Sequence, residues 1–136
     1  MGAWENGNFG NDDAMDFVME ANTKESIVEA ILKISTAPEN EYLESPDCSV
    51  ALAAIEYIAA ALGNPAEDFP EEAVEWVTKH KAELLEIDKK ETDIISHSNQ
   101  AIDKIKTNSE LKELWEESEE FEDWLHVVEG LKIRLS

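Results

Sequence analysis

Apolar side chains recur along this chain at three- and four-residue intervals, the spacing of an amphipathic helix, and no stretch of strand-like alternation competes with them. In "DDAMDFVMEA" the spacing puts Ala14, Phe17 and Val18 on one face, behind Asn11, Asp12 and Asp13, which offer N-cap groups and negative charge to the positive end of a helix. From Ser26 the stripe Ile27, Ala30, Ile31, Ile34 predicts a second helix that stops in "STAPEN", at Pro38. "SPDCSVALAAIEYIAAALGNP" predicts a third, with Ser45 as cap, Pro46 at the first helical position, Gly63 just past the end and Pro65 beyond. Nearly every side chain within it is apolar, many are alanine, and Glu56 is its only interior charge. A helix apolar all round is buried, so this one is expected at the centre.

"DFPEEAVEWVTKH" predicts a helix with Ala73, Val74, Trp76 and Val77 facing inward. From His80 to Asp93, Leu84, Leu85 and Ile87 fit a helix, but no cap or breaker marks an end. A stripe of Ile94, Ile95, Ala101, Ile102 and Ile105 leads to "KTNSEL", where Asn108 or Ser109 can cap a last helical region through Leu111, Leu114, Trp115, Trp124, Leu125, Val128, Leu131 and Leu135. "EESEEFED" is expected to interrupt that region. The pattern predicts an all-α fold, a single helical domain over 1–136 with about five to seven helices around the alanine-rich one.

Composition adds a strong charge to this picture. The 136 residues hold 32 acids against 11 bases, a formal charge of -21, and only Lys24 and Lys33 are basic before residue 69. Such a field repels nucleic acid and anionic membranes and draws a basic protein. No apolar run reaches the roughly 20 residues that span a bilayer, and no basic-then-apolar opening marks a secretion signal. With one cysteine, Cys48, no internal disulfide can form, and a cytoplasmic location follows as the expectation.

Several phrases, taken together and in order, carry a resemblance. "MGAW", then a glycine and a phenylalanine, then "NDDAMDF" resembles the opening of a bacterial domain-of-unknown-function family, DUF4259. "EYLESPDCSVALAAIEYIAAALGNP" is similar to its middle section and "NSELKELWEES" to its C-terminal signature. Glu5 and Asn6 depart from the small or polar residues more usual there. The resemblance implies a small bacterial cytoplasmic protein; it brings no activity with it.

Candidate chemistry is sparse. Asn11, Asp12, Asp13 and Asp16 at the first helix, with Glu44 and Glu56, could converge to bind a divalent cation or act as an acid–base pair. Capping accounts for the same run, and Glu56 then needs only a buried donor. The opening "MGAWENGNFG" suggests that Trp4 inserts among the helices and that Glu56 or a first-helix aspartate accepts a hydrogen bond from the terminus, where a Gly2 ammonium and the Trp4 indole N–H seek acceptors. His80, His97 and His126 lack zinc-site spacing, no glycine-rich phosphate loop follows a strand, and Cys48 has no adjacent histidine to activate it, so no cofactor or metal is expected.

Between Ser109 and Glu129 stand nine acids and one base, Lys112, interleaved with aromatics. Trp115, Glu116, Glu117, Glu120, Phe121 and Trp124 form a candidate face for a basic protein, with charge steering the encounter and the rings as anchors. A solvated helix face backed by core tryptophans would use the same letters. Three functions therefore compete: a non-enzymatic, immunity-like binding or neutralising module; a metal-dependent hydrolase built on the N-terminal carboxylates; and no site-based activity at all. The charge, the small size and the lack of a catalytic constellation favour the first.

Overall fold

A computed structural model describes residues 7–20, 23–90 and 93–135, with the side chains of 88–90 left aside. Among them run seven helices: α1 (Asp12–Met19), α2 (Lys24–Ser35), α3 (Ser45–Ala61), α4 (Glu71–Lys90), α5 (Ile94–Thr107), α6 (Glu110–Glu116) and α7 (Phe121–Arg134). The fold is all-α, and α3 touches each of the other six helices. Ala51, Ala53, Ala54, Ala59 and Ala61 are buried along it, and such short side chains let neighbouring backbones come close from every side. Ile27, Ile31 and Ile34 from α2, and Ile94, Ile102 and Ile105 from α5, fill the space on flanking helices, all almost fully buried.

Local chemistry sets the helix starts. The Asn11 Oδ1 accepts from the Ala14 amide at 2.8 Å, which caps α1. Thr23 and Ser26 cap each other's backbone reciprocally, so α2 starts at Lys24, two residues before the spacing alone predicts. The expected Ser45 cap of α3 is corrected: Glu44 is the capping position without a side-chain bond, and Ser45 is already helical. Its amide instead donates to the Glu110 carboxylate at 2.7 Å, so a residue of α6 does the work of a local cap. Asp93 and Ser109 cap α5 and α6.

The stretch after His80 is helical, because Leu84 and Ile87 continue the buried stripe begun by Ala73 and Val77. Val74 lies one position round from that stripe and is 46% exposed, not inward-facing. An edge-to-face cluster of Phe17, Phe69 and Trp76 surrounds Tyr57 on α3, and Phe9 meets Phe69 in the same way at 5.5 Å. These rings pin the turn at residues 7–10 and the 62–70 connection onto the central helix.

The C-terminus of α3 is a Schellman motif. The Asn64 amide donates to Ala59 O at 2.9 Å and the Gly63 amide to Ala60 O at 3.0 Å, with Gly63 at φ +95. A side chain is strained in that left-handed conformation. Gly63→Ala is expected to lower stability by roughly 1 kcal/mol, and Gly63→Asn by less, read as shifts of the urea midpoint at constant slope.

Candidate functional site

Glu56 is the twelfth residue of α3, with 1% of its surface exposed, where an unpaired carboxylate would cost several kcal/mol. Three groups from distant parts of the chain answer it. Asn8 Nδ2 donates to Oε2 at 2.7 Å, Arg134 Nη1 donates to Oε1 at 2.7 Å, and Arg134 Nη2 donates to Oε2 at 2.9 Å. The guanidinium thus grips the carboxylate through two parallel bonds, the geometry that makes arginine suited to burial. The Glu56 hydrogen bond, partly opposed by burial, raises the pKa of Arg134 further, helped by the charges of Glu56 and Asp68.

The Schellman turn holds the arginine from the other side. Asn64 Nδ2 donates to Arg134 O at 3.0 Å, and Arg134 Nη1 donates back to Asn64 O at 3.2 Å. Asn8 lies in a turn closed by the Gly10 amide donating to Gly7 O at 3.0 Å, and Asn8, Phe9 and Gly10 are buried. Beside the ion pair opens a cleft of about 500 Å³, walled by Pro65, Ala66, Val127 and Gly130 and edged by Glu67 and Asp68.

Asn11 caps α1, as the capping reading has it, and the carboxylates that could have converged do not come together as a metal site among the described residues. Asp12 and Asp16 are exposed and Asp13 is half-buried on α1, while Glu56 is engaged by Asn8 and Arg134. Glu44 is exposed at the opposite end of α3, twelve residues or about 18 Å along the axis from Glu56. Among the described residues no three or more His, Cys, Asp or Glu side chains are placed to hold a metal ion. Trp4, the expected plug, lies outside the described residues, as does any bond it makes. Sequence reasoning identified Glu56 as a buried charge in need of a donor but missed Asn8 and Arg134. Arg134 is the chain's single arginine, as Glu56 is the single interior charge of its central helix, and that coincidence was the available signal.

On the C-terminal side, Trp115 and Trp124 are 4% and 2% exposed and stack on each other, so these two rings of the candidate partner face belong to the core. Leu111 to Trp115 and Trp124 to Val128 are helical i, i+4 steps whose buried stripe turns the rings inward. Phe121 is half-buried, packed against Trp124. Outward stand seven exposed carboxylates, Glu113, Glu116, Glu117, Glu119, Glu120, Glu122 and Asp123. Lys112, the one base nearby, pairs with Glu116 at 3.0 Å. An aromatic that the sequence reading overlooked joins this face: Tyr42 is 56% exposed, and its hydroxyl donates to Glu113 Oε2 at 2.8 Å. That bond is the leading cause that raises the phenol to about 12.

Cys48 is fully buried, and burial, opposed by a hydrogen bond from Ser109, pushes its thiol up from 9.0 to about 12. His97 Nδ1 lies 3.0 Å from the buried Ser35 hydroxyl, and Lys104 Nζ donates to the carbonyls of Ser35 and Ala37 at the end of α2, a charge-to-dipole contact at a helix C-terminus.

The chain belongs to the family described as a domain of unknown function, DUF4259, whose model matches residues 2–127. The matched span includes Asn8 and Glu56 and ends before Arg134. Neither a curated protein nor a solved structure matches the chain.

Two outcomes follow. Arg134→Ala, which leaves Glu56 buried without a counter-charge, is expected to cost about 3 kcal/mol in urea unfolding, whereas Glu56→Met with Arg134→Met costs less than Arg134→Ala alone. The thiol gives a pH signature: below pH 9 both states keep the proton, and between about 9 and 12 only the unfolded thiol ionises, so stability falls as pH rises through that window. Unfolding curves across that range, compared with Cys48→Ala, are expected to show a shallower fall for the variant.

Proposed function

We propose that the protein is a non-enzymatic binding module that engages a basic protein through the outer surface of α6, the α6–α7 turn and the start of α7. The observation that supports it is the run of seven exposed carboxylates from Glu113 to Asp123, where Lys112 is already paired and the tryptophans face inward. Elsewhere among the described residues several cations are engaged: Lys33 with Asp47, Lys132 with Asp103, Lys104 with the end of α2 and Arg134 with Glu56. The surface charge is therefore left for an outside partner, and opposite charge speeds a specific encounter by steering. Tyr42 supplies the exposed ring beside it, pre-oriented by Glu113, in the role first given to the tryptophans. A neutralising, immunity-like action is one form this binding would take.

The reading is tested by pull-down with the wild type and with a variant carrying Gln at Glu116, Glu117, Glu119 and Glu120. At about 0.15 M salt, where screening reaches in to roughly 8 Å, the wild type is expected to retain a basic protein that the variant loses. Tyr42→Ala is expected to weaken that complex at least tenfold. Retention at low salt alone, or equal retention by wild type and variant, would overturn the proposal.

A further inference from the structure

The cleft beside the Glu56–Arg134 pair contains a glycine that packing does not require. Gly63 has its positive φ, and at Gly7 a Cβ would meet the Asp68 carboxylate at 2.5 Å. Gly130 has neither reason: it lies inside α7, and a Cβ added there meets nothing within 4 Å. Glycine in a helix interior weakens the helix relative to alanine, and here the bare backbone faces the cleft, one turn from Val127 and one from Arg134.

The charge of the cleft follows from its pairing. Arg134 is paired with Glu56 and also feels the charge of Asp68, but it is one cation against the three carboxylates of Glu56, Glu67 and Asp68, and among the described residues neither Glu67 nor Asp68 stands in a salt bridge. The remaining sign is negative, above walls of Pro65, Ala66 and Val127. At about 500 Å³ the space admits a guest of side-chain size.

We infer that this cleft is a binding site for an alkyl cation: an aliphatic stem that lies against Val127 and the open backbone of Gly130, with an ammonium or guanidinium head between Glu67 and Asp68. A free amine and the lysine or arginine side chain of a peptide share this chemistry. The inference is independent of the α6–α7 surface.

The test is an amide-resolved NMR titration of the full chain with butylguanidinium, compared with pentanoate and pentanol of similar length. Saturable shifts are expected at Val127, Gly130 and Asn64 with the cation and not with the anion or the alcohol. Gly130→Leu, which fills the space with a better helix former, is expected to weaken binding at least tenfold without lowering the thermal midpoint. Glu67→Gln combined with Asp68→Asn, two exposed positions, is expected to do the same and decides the matter should the leucine variant fold poorly. Glu119→Gln with Glu122→Gln is expected to leave binding unchanged. Acetyl-Gly-Arg-Gly-amide separates the sources: tighter binding than butylguanidinium assigns the site to a peptide side chain, and equal or weaker binding to a free amine. Non-saturating shifts spread over α6 and α7, an equal response to pentanoate, or unchanged binding in the variants that alter the cleft would overturn the inference.

Discussion

The buried carboxylate of Glu56 is the constraint on which the rest of the arrangement depends. Placed in the middle of a helix that is otherwise apolar, it cannot reach water, and its desolvation has to be offset by donors brought from elsewhere in the chain. Those donors come 48 residues earlier, from Asn8, and 78 residues later, from Arg134. Satisfying one charge therefore fixes the N-terminal turn, the last turn of α7 and, through Asn64, the Schellman ending of α3. Aliphatic packing on α2 and α5 supplies bulk adhesion without direction; the Glu56 carboxylate, held by Asn8 and by the bidentate pair with Arg134, supplies the register of the 7–10 turn and α7 on α3.

Much of the fold was legible because its signals are local. Asn11, the Ser109 cap and the Gly63 stop all act within four residues of where they stand, and the isoleucine stripes of α2 and α5 report their own buried faces. The continuous α4 was hidden only because nothing punctuates it, and Ser45 misled because the group that serves the start of α3 is Glu110, 65 residues away. Distance along the chain, and not any weakness of the pattern, is what concealed the site. Glu56 announced its need; which of eleven cations would meet it required the tertiary arrangement.

The C-terminal surface illustrates a different ambiguity. Interleaved acids and aromatics fit both a recognition patch and an ordinary amphipathic helix pair, since rotation about the helix axis decides which group faces out. In the folded chain the rings of Trp115 and Trp124 stack inward and leave a surface of carboxylates. Its exposed ring, Tyr42, arrives from the loop before α3, whose Leu43 carbonyl accepts from the Glu110 amide at 2.9 Å. A surface assembled from two sequence-distant segments has no single linear signature.

The lateness of Arg134 in the chain bears on how the molecule is made. While the polypeptide emerges from the ribosome, α3 and the Asn8 turn are made long before their guanidinium, so the Glu56 carboxylate stays hydrated, and the helix around it unpacked, until that partner arrives. Completion of the core is thereby deferred until residue 134 has been threaded out. A chain that lacks residue 134 can bury Glu56 only as a charge without its cation, at a cost of several kcal/mol.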